Sequence, residues 1–413
     1  MEPIFLLTTV MFFSTMVVLV AWFSIAVAFF IKSKKNQYES SPKTPGISVI
    51  VPAYNEEKNI ARCIKSIKNS KYPKSKIEII VVDDGSTDNT IKICRQLGVK
   101  ILRQNHKGKV EALNRGIKNS IHDLIITIDA DTVVDRYSIK EIVKPMGKRN
   151  IGAVSGVAKV TNKKSVLGIF QNVEYAYLQF VRETFSSIIK TSPGICGAFT
   201  CFKKESLKKA GGFSKKTSSE DFDIALQIKK AGYDVVLEPK AIAYTVVPQT
   251  IHSLFKQRFR WTKGILQSIF LHKNFIGKSP SASYVLLVHM FWFIIAMFSI
   301  PIIAYNVLYW ISPNSSLLNL LYYLFNWFSF AGIINMIYMI PVWGINIVYI
   351  FGIVSGILTF LLMLIALRRY GEKIDARNFI GMFFYFPYTL LLNITLMGGV
   401  IYFIVKRGKG NFS

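Results

Sequence analysis

The chain has 413 residues, 51% of them hydrophobic and 18% charged, and its mean hydropathy is +0.34. This composition excludes an ordinary soluble protein of this size, because soluble chains carry fewer apolar and more charged residues. The formal net charge of +27 fits attraction to anionic lipid headgroups at least as well as any polyanionic partner, so it does not indicate nucleic acid.

The first predicted element is an apolar run at residues 3–31 that contains no Lys or Arg. It is too long for a signal-peptide core and has no basic segment before it, so it predicts a transmembrane helix over residues 1–31. Positive charge begins directly afterwards at Lys32. The positive-inside rule therefore places the next segment in the cytosol. Residues 32–46, rich in Lys, Ser and Pro, predict a linker.

Residues 47–250 predict a folded α/β domain in which β-branched runs alternate with helical patterns. Alternation in this order indicates a mostly parallel, Rossmann-like sheet. Ligands of such sheets bind beyond the carboxyl ends of the strands. The acidic pairs Asp83/Asp84 and Asp129/Asp131 each follow a predicted strand, so we expect them at one edge of the sheet.

The Asp129-Ala130-Asp131 sequence indicates a metal site. If this segment is extended, alternation puts both carboxylates on one side of the chain. Mg²⁺ is commonly held by one or two carboxylates together with substrate phosphates, so the pair suits a metal–diphosphate complex. The Asp83-Asp84-Gly85-Ser86 sequence fits a turn and a helix cap equally well.

The QRFRW sequence places Gln257, Arg260 and Trp261 on one face if it is helical. Arg suits phosphate oxygens, and an aromatic ring suits the C–H surface of a sugar. Residues 251–280 also fit amphipathic interfacial helices, and both interpretations can hold together. The interfacial interpretation turns one set of residues to lipid (Phe255, Phe259, Trp261, Ile265) and another to headgroups (Lys256, Arg258, Lys263).

Residues 281–413 predict a transmembrane region of three to four spans. The apolar segments are 284–311, 317–340, 342–367 and 379–405. If all four span, the basic group at 368–377 lies outside and that at 406–409 inside. If one segment is re-entrant or interfacial, the two groups exchange sides, and the positive-inside rule hardly discriminates between these alternatives.

The motifs VPAYNE, VDDGSTDNT, GKVEALN, DADT, SED and QRFRW, in this order and before apolar helices, closely resemble the processive family-2 glycosyltransferases. The resemblance covers residues 47–271. It is greatest to the poly-β-1,6-N-acetylglucosamine synthase branch, and it extends to chitin, Nod-factor backbone, hyaluronan and cellulose synthases. It implies a cytosolic GT-A domain, an α-helical transmembrane bundle in the plasma membrane, contact with membrane lipids and a small accessory membrane subunit.

The resemblance also implies a role for each site residue. The donor UDP-sugar would be held by Tyr54, Glu56, Asp84, Lys109, Asp129, Gln257 and Arg260. Asp131 would hold Mg²⁺ or Mn²⁺. The growing polysaccharide acceptor would meet Trp261, Cys196 and Gly197. Asp221, next to Glu220, would be the general base; Ser219 precedes this pair where the family usually has Thr, which keeps a hydroxyl.

These roles describe a metal-dependent inverting hexosyltransferase. A positioned carboxylate that takes the proton of an attacking sugar hydroxyl contributes about 10²–10⁴-fold. A single displacement on an α-linked donor gives a β-linked product. The sequence therefore predicts a processive enzyme that polymerises a sugar, foremost N-acetylglucosamine from UDP-GlcNAc, and translocates the polymer. The alternative is a non-processive enzyme that adds one sugar to a lipid. A transporter or receptor is disfavoured because the apolar helices offer no ionisable transport site.

Overall fold

The computed structural model describes residues 2–32, 44–192, 194–310, 316–343 and 347–408. Most of the predicted linker at 32–46 therefore lies outside the described residues. The rest forms an α/β domain and a group of long apolar helices.

The strands and helices alternate through the first two thirds of the chain, and helices alone follow. The strands are β1 Ile47–Ala53, β2 Ile77–Asp83, β3 Lys100–Arg103, β4 Leu124–Ile128, β5 Val133–Val134, β6 Ile151–Val160, β7 Phe199–Lys203 and β8 Asp234–Thr245. The helices up to the end of the α/β domain are α1 Glu2–Lys32, α2 Ile60–Lys68, α3 Thr90–Gln96, α4 Lys109–Lys118, α5 Ser138–Val143, α6 Val166–Ile189, α7 Lys204–Ala210, α8 Glu220–Lys230 and α9 Ile251–His272. The remaining helices are α10 Pro280–Trp310, α11 Leu317–Phe328, α12 Ala331–Trp343, α13 Ile347–Arg369, α14 Ala376–Phe383 and α15 Tyr385–Gly408.

The eight strands of the described chain form one sheet in the order β3-β2-β1-β4-β7-β6-β8-β5. β1 pairs in parallel with β2 and β4, β2 with β3, and β6 with β8. β7 is antiparallel to β4 and β6, and β5 is antiparallel to β8. The predicted mostly parallel α/β sheet is confirmed.

The sheet is buried on both faces, as its β-branched strands require. Val49 and Val51 of β1 belong to one apolar cluster, and Ile50 between them belongs to another. Because successive strand residues point to opposite faces, these clusters lie on the two sides of the sheet. Ile60 and Ile64 of α2, spaced as on one helix face, pack into the first cluster. The strand ends are therefore held on a rigid base.

Four helices of the described chain are long and apolar enough to cross a membrane, and they indicate a membrane protein. Their apolar stretches are Leu6–Phe29, Ala282–Ala304, Ile350–Arg369 and Tyr385–Lys406. The segment predicted at 317–340 is not one straight helix, because Leu317–Asn326 and Ala331–Val342 meet at 105°. The segment predicted to start at residue 379 is also divided, into α14 and α15.

Polar contacts tie the connection between α13 and α14 to the α/β domain. Glu372 of this connection pairs with Lys163, next to β6. Arg369 at the end of α13 donates from Nε to Glu183 Oε2 of α6 at 3.1 Å. The connection therefore lies against the α/β domain.

Helix α9 packs between α8 and α15. Gly399 of α15 approaches Thr262 so closely that a Cβ there would lie 2.6 Å from Thr262 Cγ2. Phe259 packs edge-on against Tyr402 with ring centroids 5.2 Å apart. Arg258, which the interfacial interpretation turned to headgroups, is 5% exposed. That placement was wrong because Arg258 pairs with Glu174 of α6.

Candidate active site

Asp84 lies just beyond β2, and its carboxylate organises the loop before α4. Oδ1 accepts hydrogen bonds from Gln104 Nε2 at 2.7 Å and from Lys107 N at 2.8 Å, and Oδ2 accepts one from Gly108 N at 2.9 Å. Burial alone would raise the pKa of Asp84, but these donors outweigh burial and lower it. The carboxylate is therefore charged and fully engaged within the protein.

Tyr54 and Glu56, which the resemblance assigns to the UDP-sugar donor, follow β1 at the same edge of the sheet. Tyr54 is 45% exposed, and its ring centroid is 4.2 Å from that of His106. His106 Nδ1 is 3.0 Å from Asp84 Oδ2, so the aromatic pair sits above the Asp84 loop. Glu56 accepts a hydrogen bond from Asn59 Nδ2 at 2.9 Å. His106 had not been identified from the sequence, and its signal was the RQNHKGK loop itself.

Lys109 joins three of the motifs. It begins α4 directly after Gly108, whose φ of 91° lies in the region that favours glycine. Its Nζ is 2.6 Å from Asp129 Oδ1 and 3.0 Å from Glu220 Oε1. Partial burial would lower the pKa of Lys109, but the two carboxylates outweigh burial and raise it. The ends of β2 and β4 and the start of α8 thus meet at one ammonium group.

The Asp129–Asp131 segment is a turn, and the expectation of an extended chain was wrong. β4 ends at Ile128, and Thr132 N donates to Asp129 O at 3.0 Å, which closes a turn of four residues. The two carboxylates remain close enough to interact. The pKa of Asp131 is raised to about 6 by burial and then by the charges of Asp129 and Glu56.

These carboxylates fit a divalent cation in their chemistry. The described residues contain no group of three or more His, Cys, Asp or Glu side chains arranged to hold a metal. Asp131 nevertheless carries like-charge repulsion from Asp129 and Glu56 that Lys109 only partly offsets. Hard oxygen donors with excess negative charge suit Mg²⁺ or Mn²⁺ when diphosphate oxygens supply further ligands.

Asp221 lies in the first turn of α8, beside the loop that leads to β7. Its Oδ1 accepts a hydrogen bond from Phe222 N at 2.8 Å. A Cβ placed on Gly197 would lie 2.7 Å from Asp221 Oδ2, so the second oxygen faces this glycine. Burial and then the neighbouring Glu220 raise the pKa of Asp221. A carboxylate with a raised pKa that faces a glycine, which has no side chain to block it, is suited to accept a proton.

Arg260 of the QRFRW helix reaches the Glu220 side of this site. Its Nη1 donates to Ser218 O at 3.1 Å and is 3.9 Å from Glu220 Oε2. The approach depends on Gly264, because a Cβ there would lie 2.4 Å from Ser219 N. Gly264 had not been identified from the sequence, although a glycine within a helical pattern signals close packing.

Gln257 and Trp261 lie on the same helix, three residues before and one residue after Arg260. Gln257 Oε1 is buried, and no hydrogen-bond partner for it occurs in the described chain. The Trp261 ring is covered by Arg258, whose Cζ is 4.1 Å from the ring centroid. The predicted contacts of Gln257 with diphosphate and of Trp261 with an acceptor sugar stay predictions.

The loop that contains Cys196 is held by the half-buried guanidinium of Arg182. Cys196 N donates to Ser155 Oγ at 2.8 Å, and Arg182 Nη2 donates to the same oxygen at 3.0 Å. Arg182 Nη2 also donates to Gly194 O at 2.8 Å. Pro193, at the start of this loop, lies outside the described residues. Arg182 had not been identified, and its signal was a lone arginine in the apolar pattern of α6.

The structure therefore brings several of the predicted site residues together beyond the carboxyl ends of β2 and β4. Asp84 holds the loop that ends at Lys109, Lys109 contacts Asp129 and Glu220, and Asp221 faces Gly197. A cluster of an ammonium, several carboxylates and a flanking guanidinium can bind a phosphorylated ligand and accept a proton.

Residues 48–211 match the family described as Glycosyl transferase family 2. The chain is similar to the poly-beta-1,6-N-acetyl-D-glucosamine synthase of Staphylococcus epidermidis, with 33% identity over 245 residues, which cover 57% of this chain and 56% of the relative. The synthase of Staphylococcus aureus strain COL is 34% identical over 227 residues, which cover 53% and 54%. The chain thus spans about half the length of the curated relatives it matches.

Among solved structures, the chain is similar to the mannosyltransferase PcManGT from Pyrobaculum calidifontis in complex with GDP-Man and Mn²⁺. The TM-score is 0.61 at 18% identity, and the match covers 95% of this chain and 98% of that one. At this identity the likeness concerns the fold, which is GT-A, with a mostly parallel sheet and a following group of apolar helices.

Proposed function

We propose, from the premise that residues 48–211 form a glycosyl transferase family 2 domain, that the protein is a processive inverting glycosyltransferase. It takes N-acetylglucosamine from UDP-GlcNAc and builds a β-linked polysaccharide. The observation that carries the proposal is the meeting of Lys109 with Asp129 and Glu220, beside an Asp221 that faces Gly197. The curated relatives, named as poly-β-1,6-N-acetylglucosamine synthases, support the choice of sugar.

The donor lies beyond the carboxyl ends of β1, β2 and β4. Tyr54, Glu56 and the Asp84 loop border the position of the uridine, because they line the edge at the ends of β1 and β2. Lys109 and Arg260 flank the diphosphate, and Gln257 lies on the same helix as Arg260. Asp131 and Asp129 would hold a bound Mg²⁺ or Mn²⁺, which supplies electrostatic stabilisation of the departing diphosphate.

The acceptor hydroxyl is deprotonated by Asp221. The oxygen of the acceptor hydroxyl attacks the anomeric carbon of the donor sugar, and the bond from that carbon to the diphosphate oxygen breaks. The hydroxyl proton moves to Asp221 Oδ2, and the diphosphate leaves as part of UDP. Glu220 does not compete for this proton. Burial alone would raise the pKa of Glu220, but the ammonium of Lys109 outweighs burial and lowers it. One displacement inverts the anomeric centre, so an α-linked donor gives a β-linked product.

The apolar helices support a membrane-bound synthase that also translocates its polymer. The basic group at 368–377 runs from the end of α13 through the α13–α14 connection to the start of α14, and Arg369 and Glu372 bind this part of the chain to the α/β domain. The positive-inside rule then favours a cytosolic catalytic domain in the plasma membrane. Membrane lipids surround the helices, and a small accessory membrane subunit is part of the proposal.

The experiment supplies each radiolabelled UDP-sugar in turn to the full chain in lipid nanodiscs, with Mg²⁺ or Mn²⁺. We expect a ladder of long products only with UDP-GlcNAc, and digestion by a β-linkage-specific glycosidase. The control is Asp221→Asn, which should make no ladder. A singly glycosylated lipid as the sole product would replace the processive synthase with the non-processive enzyme.

A further inference from the structure

Arg258 is a buried cation of the QRFRW helix that the proposed reaction does not use. It is 5% exposed, although arginine is rarely buried. Its Nη2 donates to Glu174 Oε2 of α6 at 2.7 Å. The same oxygen accepts a hydrogen bond from the hydroxyl of Tyr388 of α15. Helices from the catalytic domain and the membrane region thus share one carboxylate.

The guanidinium of Arg258 lies over the indole of Trp261. Its Cζ is 4.1 Å from the ring centroid, within the distance of a cation–π contact. The two residues are three positions apart and therefore neighbours on the helix surface. The guanidinium of Arg258 covers one face of the indole, and Glu174 holds that guanidinium in place. The contact therefore fixes the orientation of the opposite face of the indole.

Stability alone does not account for this arrangement. Arg258 is buried beside Glu174, Tyr175 and Tyr388, and its Nε and Nη1 atoms make no hydrogen bond of ordinary geometry with the residues that the structure describes. Buried donors without partners are costly, and a buried ion pair returns little net stabilisation. A guanidinium kept in this position at such a cost points to a requirement other than folding.

The position of Trp261 supplies that requirement. The next residue towards the N-terminus, Arg260, reaches Ser218 and Glu220 of the reaction site. If Arg258 were mobile, the indole of Trp261 could tilt and hold the acceptor sugar at the wrong distance from Asp221. Small errors in the position of a reacting group lower the rate of a displacement reaction strongly.

We propose that Arg258, held by Glu174 and Tyr388, is a positioning residue that orients Trp261 as the platform for the acceptor sugar. The inference rests on the proposed function, in which Trp261 contacts the acceptor. It also assigns α15 a part in the site, because Tyr388 holds the carboxylate on which Arg258 depends.

The test varies donor and acceptor separately, with the full chain in nanodiscs, UDP-GlcNAc and a soluble N-acetylglucosamine oligosaccharide. Arg258→Lys keeps the charge and loses the planar stack. We expect its KM for the oligosaccharide to rise about tenfold, the size of a lost buried cation–π contact, with the KM for UDP-GlcNAc unchanged. Tyr388→Phe removes the hydroxyl that donates to the Glu174 carboxylate. Because this hydroxyl acts on Trp261 only through Glu174 and Arg258, we expect a smaller increase in the same KM, of about threefold. Trp261→Phe is the positive control for the acceptor effect.

An unchanged KM for the oligosaccharide in both variants overturns the inference. So does an equal rise in both KM values, which would mark a merely structural role. If Arg258→Lys fails to fold, Tyr388→Phe alone decides. Wild-type protein that makes no product with any UDP-sugar contradicts the proposed function itself. Wild-type activity with a raised acceptor KM only in Trp261→Phe leaves the function standing and rejects the role of Arg258.

Discussion

Asp84, which holds the loop that ends at Lys109, and Asp221, next to the Glu220 that pairs with Lys109, lie in opposite surroundings. Asp84, on the loop side, accepts three hydrogen bonds from Gln104, Lys107 and Gly108, and they lower its pKa. Asp221, on the helix side, accepts a hydrogen bond from Phe222 of its own helix, and burial together with the charge of Glu220 raises the pKa of Asp221.

The contrast separates a carboxylate that builds the site from one that reacts in it. Oxygens already occupied by donors are poor proton acceptors, because protonation would sacrifice those bonds. An oxygen with a raised pKa and a glycine opposite retains the ability to take a proton. The loop side is thus preorganised for binding, while the helix side keeps the reactive group.

The largest effect is expected on the helix side. Asp221→Asn should lower the transfer rate by about 10²–10⁴-fold, since proton acceptance is lost. UDP binding should persist, because the contacts of Lys109 and Asp129 remain. Radiolabel transfer and calorimetry with UDP measure the two properties. The matched control is Glu205→Gln, which alters an exposed ion pair with Lys209 and should retain activity. Unchanged turnover in Asp221→Asn would remove this residue from the base role.

The second effect concerns the carboxylates between the two sides. Asp131→Ala should weaken donor binding and transfer by about 10²-fold, because metal stabilisation of the diphosphate is worth several kcal/mol. Chelation of the wild-type protein should give a similar loss that added Mg²⁺ or Mn²⁺ restores. Titration of UDP-GlcNAc with and without metal measures both. Normal affinity and a normal response to metal in Asp131→Ala would reject its assignment.

The third effect concerns Gly197, the glycine that faces Asp221 Oδ2. Gly197→Ala should lower kcat by about 10–100-fold, because its Cβ, 2.7 Å from Asp221 Oδ2, forces the carboxylate to shift. Gly194→Ala is a matched control in the same loop, since no atom of the described residues, apart from its chain neighbours, lies within 4 Å of its Cβ position. Steady-state kinetics and thermal unfolding of both variants separate misplacement from misfolding. Equal kcat values for the two variants would contradict a close fit at Gly197.

The sequence predicts the strand-end carboxylates of the site better than the packing of the helices around it. The reason is that the strands follow local patterns, whereas the helix packing depends on residues far apart in the sequence. The β-branched runs of β1, β2 and β4 are local patterns, and they bring Asp84 and Asp129 to one edge through parallel topology alone. The partner of Arg258 is Glu174, 84 positions away. Helical periodicity carries no information about so distant a partner, so it indicated a contact of Arg258 with lipid headgroups. The turn at Asp129 depends on one hydrogen bond from Thr132, which alternation does not reveal.

The membrane region shows the same limit. Residues 317–340 are uniformly apolar and predict one span. In the structure the chain bends between α11 and α12, where Phe330 N donates to Phe383 O at 2.8 Å. That acceptor lies at the end of α14, far away in the sequence. A long-range hydrogen bond therefore divides a segment that hydropathy treats as continuous.

The smallest effect on transfer is expected on the loop side. Asp84→Asn replaces an acceptor of several donors with an amide that has one acceptor oxygen, so the loop at 104–108 loosens. We expect a loss of about 1–3 kcal/mol in the free energy of unfolding, with a several-fold rise in the KM for UDP-GlcNAc and kcat nearly retained.

The pH dependence of stability gives this variant a signature of its own. The folded-state pKa of Asp84 is lowered from its ordinary value of 3.8, so its contribution to stability is present above pH 3.8 and is lost as the pH falls through the lower, folded-state value. The stability difference between wild type and Asp84→Asn should therefore shrink below about pH 4. Denaturant unfolding at pH 7 and pH 3.5 measures it. A difference that stays constant between these values would mean that the charge of Asp84 does not hold the loop, and the contrast with Asp221 would fail on its preorganised side.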